Sequence, residues 1–196
     1  MCNNYEQHIK LADYRKAMTF AALKISEHQS EADLPQVDDI RISDLGPVMR
    51  LTGEEVALSP MAFGFPPKGK GGPVFNFRSE GRSFGESKRC LIPASAFFEF
   101  TGKKSPKAKH RFSLAGGTMM AIAGLWREGA GNQPPAFTML TTEPGPDIKP
   151  YHDRQVVVLQ PLDWSHWLHL TRPETDLLKP LPAGALSVET VRPGSD

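Results

Sequence analysis

Apolar residues near the N-terminus recur in steps of three and four. They stand at Leu11, Tyr14, Met18, Ala22 and Ile25. This spacing places them on one face of an amphipathic helix. The sequence therefore predicts a helix over residues 6–25, close to the N-terminus of the chain.

After a polar, acidic stretch at 27–39, the pattern changes to short apolar runs rich in β-branched and aromatic residues, separated by Gly and Pro. Such runs are typical of β-strands. The predicted strands cover 48–51, 56–65, 74–78, 90–100, 111–114, 119–126, 137–142 and 155–159. The lysine-rich segment 101–110 is predicted to be the solvated tip that joins two antiparallel strands.

A second helix is predicted near the C-terminal end, from Trp164 to about Leu170 with Asp163 as its N-cap. Four prolines follow, and they predict an irregular tail from about residue 171. Many strands, few helices and no Gly-rich phosphate loop favour an α+β fold over a doubly wound fold. We expect a single domain over 1–196, with a mainly antiparallel barrel-like β core and a few flanking helices.

Composition narrows the class of protein. Hydrophobic residues make up 39% and charged residues 23% of the chain, as in soluble globular domains. No stretch approaches the roughly 18 to 20 apolar residues of a membrane span, and the N-terminus lacks the layout of a signal peptide. We therefore expect a cytoplasmic protein. The two cysteines, Cys2 and Cys90, favour free thiols over a disulfide framework.

The net charge is only +1, but the charge is unevenly distributed. Residues 68–111 contain eleven Lys or Arg against three Glu, a local net charge of +8 that leaves −7 for the rest of the chain. This middle segment could face the phosphates of a nucleic acid. The alternative is a set of solvated lysines in loops and at strand ends, and charge alone does not decide between the two.

Cys2 is the residue with the most specific chemistry. Removal of Met1, which a small second residue permits, would place an α-amine and a thiol on adjacent carbons. Such an amine, with an ordinary pKa of roughly 7.7 to 8.0, is partly neutral near pH 7 and can attack an aldehyde. The thiol can then close the imine to a five-membered thiazolidine. A cysteine at position 2 is also often accidental, so this chemistry needs supporting residues.

Further positions carry groups that this chemistry needs. Alternation places Asn76, Arg78 and Glu80 on one face of a strand, although the solvated face of an edge strand is the alternative. Glu99 lies in an aromatic run, where burial would raise the pKa of its carboxyl and suit proton transfer; the alternative is a solvent-facing Glu. His152 precedes a strand, at a junction where site residues are often held, and the alternative is a structural or exposed histidine.

Taken together, these motifs resemble those of the SOS-response-associated peptidase family, abasic-site processing proteins that crosslink to DNA. Four elements carry the resemblance in the family's order: Met1-Cys2, Asn76-Phe77-Arg78-Ser79-Glu80, Arg89-Cys90-Leu91-Ile92-Pro93-Ala94 through Phe98-Glu99-Phe100, and His152-Asp153-Arg154. The resemblance spans nearly the whole chain from residue 1 to residue 159. The order of the four elements is far more specific than any one of them.

The resemblance implies an autopeptidase with lyase-like chemistry. Met1 would be removed autocatalytically, and Cys2 would form a thiazolidine with the ring-opened sugar of an abasic site in single-stranded DNA, shielding the lesion. Asn76 and Glu99 would hold and deprotonate the Cys2 amine. His152 would be the acid–base partner for ring opening and imine formation. The histidines show no metal-ligand motif, so we expect no metal. We also expect no cofactor and a monomeric protein.

The resemblance also implies contacts with DNA. The implied contacts are Arg78, Arg82 and Arg154 to phosphates, and Phe65 as a surface on which a base could stack. The chain departs from the family pattern beside its cysteine, where it reads Asn3-Asn4 and the family often has Gly-Arg. An arginine next to the nucleophile is therefore missing.

Two other classes of protein are compatible with a reactive Cys2. An N-terminal-nucleophile amidohydrolase also uses a cysteine freed from Met1, but the sequence lacks the oxyanion-hole Asn-Gly arrangement and the layered pattern of such enzymes. In a non-catalytic nucleic-acid or protein-binding module, Cys2 would be incidental. Such a module would bind equally well after Cys2→Ala and would form no covalent adduct.

Overall fold

A computed structural model of the protein describes residues 2–67, 69–117 and 119–195. The first half of the chain forms β1 (Asn4–Gln7), α1 (Leu11–Phe20), a 3-10 turn (Glu31–Asp33), β2 (Val37–Arg41), β3 (Leu45–Thr52), β4 (Glu55–Phe63), β5 (Asn76–Arg78) and β6 (Arg89–Ala94). The second half forms β7 (Ala96–Thr101), β8 (Ala108–Leu114), β9 (Met120–Arg127), β10 (Ala136–Thr142), β11 (Gln155–Val156), β12 (Val158–Leu159), α2 (Pro161–His169), α3 (Glu174–Leu177) and β13 (Leu186–Arg192).

Five strands close into a ring. β10 pairs in parallel with β4, and the antiparallel pairs β4–β3, β3–β6, β6–β9 and β9–β10 lead back to the start. β4 pairs with β10 only as far as Phe137, and β5 pairs in parallel with the rest of β10, from Met139 to Thr141. Closure leaves the ring strands with few free edges. The predicted α+β fold, with a mainly antiparallel barrel-like core and flanking helices, is confirmed.

A second sheet, in the order β13-β8-β7-β1-β2, packs against this barrel. Only Ser95 separates β6 of the barrel from β7 of the second sheet, so the single strand predicted over 90–100 is corrected to two strands. The backbone N–H of Ser95 donates to the carbonyl of Glu6 (2.9 Å) at this crossing. Alternation along β7 then puts Phe97 and Glu99 on the face that packs against the barrel.

Alternate residues of β9 pack into two different hydrophobic clusters, one on each face of the strand. Met120 and Ile122 pack between the barrel and the second sheet, whereas Ala121 and Ala123 pack toward the helices. Gly124 follows in the same strand, and a Cβ there would lie 2.4 Å from the Cδ1 atom of Ile92 and 2.8 Å from the carbonyl oxygen of Thr138. A side chain at this position would therefore push the barrel strands apart.

The helix predicted over 6–25 is wrong at both ends. Residues 4–7 form β1, because their backbone pairs with both β2 and β7. The helix ends after Phe20, where Ala22 adopts a left-handed φ of 53°. Ile25, counted in the apolar stripe, instead bridges to Val56 beside the barrel. Tertiary pairing thus overrides the helical spacing at both ends.

Two predictions near the C-terminal end also need correction. The second helix begins at Pro161 with Gln160 as its N-cap, because a proline at the first helical position loses no hydrogen bond. The tail from 171, predicted to be irregular, contains α3 and β13, and β13 pairs along β8.

Among the described residues, no helix has the length and apolar character needed to cross a membrane.

Candidate active site around Cys2

Cys2 lies immediately before β1, where the second sheet meets the barrel. The side chain is only 1% exposed and its thiol is free. Its Sγ donates to the backbone carbonyl of Asn4 (3.2 Å). Burial, followed by repulsion from the Glu99 carboxylate, raises the pKa of this thiol to about 12. The thiol is therefore protonated at neutral pH and is a weak nucleophile in this state.

Asn76 reaches Cys2 from the barrel side. It occupies the first position of β5, which the parallel pairing with β10 holds opposite Met139. Its Nδ2 donates to the backbone carbonyl oxygen of Cys2 (2.7 Å). Its buried Oδ1 has no hydrogen-bond partner within the part of the chain that the structure describes. The amide therefore holds the Cys2 backbone and still offers one buried acceptor.

Glu99 reaches Cys2 from the second sheet. Tyr5 stands opposite Phe97 and Glu6 opposite Ala96 in the antiparallel β1–β7 pair, so continuing the register brings residues 2 and 3 alongside 99 and 100. Glu99 is 1% exposed, and its burial raises the pKa of the carboxyl to about 7. The positive charge of the chain's N-terminal amine, and to a smaller extent a hydrogen bond from the backbone N–H of Cys2, partly offset this rise in pKa. The nitrogen of Cys2 thus already faces a carboxyl that titrates near neutrality.

His152 completes the group. Its Nε2 lies 4.0 Å from Oε2 of Glu99, and its Nδ1 accepts a hydrogen bond from the backbone N–H of Arg154 (2.9 Å). Burial lowers the pKa of the imidazole below its ordinary value, so the ring is neutral at pH 7. A neutral ring can donate a hydrogen bond from its N–H, and the neighbouring carboxyl, which titrates near 7, can take up or release a proton.

The residues implied as DNA contacts lie in different settings. Arg78 ends β5 and is exposed. The guanidinium of Arg82 lies 4.6 Å from the ring centroid of Phe77. Phe65 is 3% exposed, and the guanidinium of Arg127 lies 4.3 Å from its ring centroid, so the ring presents little open surface to a base.

Arg154 is engaged within the protein. Both terminal nitrogens of its guanidinium bind the two carboxylate oxygens of Glu80, and Nη2 lies 2.8 Å from Oε2. Nη2 also donates to Oγ1 of Thr141 on β10 (3.1 Å). The sequence placed Glu80 on the face of Asn76 but gave no sign of this pairing. The available signal was local spacing: a Glu stands two residues after Arg78, and an Arg of opposite charge stands two residues after His152.

The structure therefore brings four predicted residues together, Cys2, Asn76, Glu99 and His152, at the junction of the barrel and the second sheet. This fold and site define a class of protein in which a barrel holds a cysteine at position 2 against an amide, a buried carboxyl and a neutral histidine. The chain belongs to the SOS response associated peptidase (SRAP) family, whose sequence model matches residues 1–194.

Relatives agree with this assignment. The chain is similar to the abasic site processing proteins YoqW and YoaM of Bacillus subtilis, with 35% identity over 100 and 99 residues respectively. Each alignment covers 48% of this chain and 44% of the relative, so the matched region is less than half the length of either protein.

Solved structures share the fold across nearly the whole chain. A crystal structure of a protein from Bordetella bronchiseptica superposes with a TM-score of 0.74 at 26% identity, covering 97% of this chain and 100% of that chain. A phage-related protein from the same organism gives a TM-score of 0.72 at 21% identity, covering 97% and 94% of the two chains. The second likeness concerns the fold alone.

Proposed function

We propose that this protein processes abasic sites in single-stranded DNA by forming a covalent adduct through Cys2 after Met1 has been removed. The observation that carries the proposal is the convergence of Asn76, Glu99 and His152 on Cys2. The names of the Bacillus subtilis relatives as abasic site processing proteins support the choice of substrate.

The first step is release of the amine. Hydrolysis of the Met1–Cys2 peptide bond consumes one water and frees methionine, and we propose that the site itself performs this cleavage. The nitrogen of Cys2, whose N–H faces Glu99, then becomes a primary amine. Glu99 can take a proton from this amine near neutral pH, because burial raises the pKa of its carboxyl to about 7. The buried Oδ1 of Asn76, which has no hydrogen-bond partner among the described residues, can accept a second N–H.

The second step is attack on the sugar. The ring-opened abasic sugar presents an aldehyde at C1, and the neutral amine adds to this carbon and expels one water to give an imine. The N–H of neutral His152 can donate a hydrogen bond to the sugar oxygen during ring opening, and the proton that Glu99 has taken from the amine is returned to the departing hydroxyl, which leaves as water. The sulfur of Cys2 then adds to the imine carbon while the thiol proton passes to nitrogen. The product is a thiazolidine.

The state of the thiol supports this order of steps. With a pKa of about 12, the Cys2 thiol is not the primary nucleophile at neutral pH, and the amine reacts first. An amidohydrolase of the N-terminal-nucleophile class needs the opposite, a thiolate that attacks a carbonyl directly. The site is therefore better suited to an aldehyde than to an amide substrate.

Phosphate contacts are proposed for exposed arginines near the site. Arg78 and Arg82 follow Asn76 along the chain, in the segment 68–111 whose net charge is +8. A strand of DNA with its lesion at Cys2 would pass over this segment, and each arginine can pair with a phosphate. We propose single-stranded DNA because Cys2 is buried, and a flexible single strand can bend its abasic sugar into the site without the cost of unstacking a duplex.

The proposal predicts a covalent complex. Purified protein mixed with a single-stranded oligonucleotide that contains one abasic site should give one shifted band on a denaturing gel. The same oligonucleotide with an intact base, or with its abasic aldehyde reduced to an alcohol, should give none. If no band forms although N-terminal sequencing finds Cys2 as the first residue, the proposed function is wrong.

A further inference from the structure

Glu80 and Arg154 form a clamp that joins separate parts of the fold. Glu80 follows β5, Arg154 precedes β11, and Thr141 on β10 accepts a further hydrogen bond from the same guanidinium. The Arg154 side chain is 11% exposed. Hydrogen bonds from Arg154 lower the pKa of the Glu80 carboxyl, so the pair stays charged at neutral pH. Bidentate pairs of this kind fix geometry as well as adding energy.

The clamp acts on the segment that carries His152. Arg154 lies two residues after His152, and its backbone N–H donates to the Nδ1 atom of that ring (2.9 Å). The side chain of Arg154 therefore anchors the same residue whose backbone orients the imidazole. If the guanidinium were released from Glu80, the side chain of Arg154 would lose its anchor, and the backbone N–H that orients the imidazole would be held less firmly.

The clamp also selects a tautomer. A backbone N–H can only donate, so Nδ1 of His152 must accept, and the ring proton must lie on Nε2, which faces Glu99 at 4.0 Å. Asp153 competes, because its Oδ1 lies 2.9 Å from the same Nδ1 and would favour a proton there. The Asp153 side chain is 89% exposed and hydrated, whereas the backbone N–H of Arg154 is fixed, so the backbone contact prevails.

We propose that Glu80 is a positioning residue that, by holding Arg154, fixes the Nε2–H tautomer and the orientation of His152 toward Glu99 and the nitrogen of Cys2. In this arrangement the Arg154 guanidinium is held by the Glu80 carboxylate, and its backbone N–H acts on the chemistry through His152. The kinetic part of this inference rests on the proposed function, since adduct formation is its readout.

Glu80→Gln tests the role because it keeps the size of the side chain and removes its charge. We expect adduct formation with abasic-site DNA to slow on the order of tenfold, while affinity for undamaged single-stranded DNA stays unchanged. Glu80→Asp, which keeps the charge, should recover part of the rate. Glu86→Gln removes an exposed carboxylate from the same loop and should leave the rate unchanged, so it is the matched control.

A second measurement does not depend on adduct formation. Nitrogen NMR of labelled His152 should report the Nε2–H tautomer in the unmodified protein and a mixture of tautomers in Glu80→Gln. An unchanged rate and tautomer in a variant that still melts cooperatively would overturn the inference. Tighter DNA binding with an unchanged tautomer would also overturn it, since Glu80 would then compete with phosphate for Arg154. Absence of adducts with the unmodified protein would instead refute the proposed function, and the NMR result would still decide the role of Glu80.

Discussion

Replacing Cys2 with alanine is expected to abolish adducts that survive denaturation. When the variant is prepared with alanine as its first residue, it keeps an α-amine beside Glu99 but lacks the sulfur that closes the ring. The reaction then stops at an imine, which water reverses, and the yield of stable adduct should fall on the order of 100-fold or more. Borohydride, which reduces an imine to a stable amine, should restore the band.

Two further variants sharpen this prediction. Cys2→Ser can close only an oxazolidine, which is less stable, so its adducts should form and then decay. Cys90→Ala removes the other thiol, which is fully buried and which burial keeps protonated by raising its pKa. It should form adducts normally, although a cavity in the core will lower its free energy of unfolding. A stable band from Cys2→Ala without borohydride would show that another residue forms the bond.

Glu99→Gln should slow adduct formation and remove part of its pH dependence. Below pH 7 the Glu99 carboxyl is protonated and cannot take a proton from the amine, whereas above pH 7 it is a carboxylate that can. The rate for the unmodified protein should therefore rise through pH 7. Glutamine cannot accept the proton, so the variant should be about 100-fold slower at pH 8. Only the later rise from titration of the amine itself, at roughly pH 7.7 to 8.0, should remain.

The same variant should be more stable at high pH. Since the pKa of Glu99 is about 7 in the fold and near 4.5 ordinarily, the folded state binds the proton more tightly. This contribution to stability is fully present below pH 4.5 and is lost as the pH rises through 7. Neutral glutamine escapes the loss, so its free energy of unfolding should exceed that of the unmodified protein by about 3 kcal/mol at pH 8.

Melting curves of Glu99→Gln and of the unmodified protein at pH 5 and pH 8 would check this difference in stability. The difference between the two proteins should be small at the lower pH and large at the higher pH. A variant that reacts more slowly but has a higher free energy of unfolding is expected when a carboxyl contributes to the reaction and its burial destabilises the fold. A Glu99→Gln variant that reacts at the unmodified rate, or that is less stable at pH 8, would remove Glu99 from the proposed mechanism.

Much of the fold and site followed from local patterns. The apolar runs predicted most strands of the barrel, because alternation and β-branched composition persist wherever a strand is buried on one face or both. Cys2, Asn76, Glu99 and His152 could be named in advance, because each lies in a motif that resembles one of the family's and carries a chemical group that the amine chemistry needs. Their convergence was not visible in the sequence, since it depends on the register between β1 and β7 and on the pairing of β5 with β10.

The failures have a common physical cause. β1 is too short and polar to show a clear alternating pattern, and the alternation Leu186-Ser187-Val188-Glu189 of β13 was outweighed by the prolines around it. Both segments are strands because neighbouring strands offer them backbone partners. The clamp between Glu80 and Arg154 joins residues 74 positions apart. Charge and spacing along the chain indicate which face a side chain occupies, but the partner across that face is set by tertiary structure.

The most direct test of the central claim is the mass and thiol reactivity of the peptide that carries the adduct. After reaction with abasic-site DNA and digestion, we expect the modified peptide to begin at Cys2, to have gained the sugar with the loss of one water, and to resist alkylation at sulfur. These properties together require that both the nitrogen and the sulfur of Cys2 are bonded to the sugar. A modified lysine, a retained Met1, or a Cys2 thiol that an alkylating agent still reaches would contradict the account.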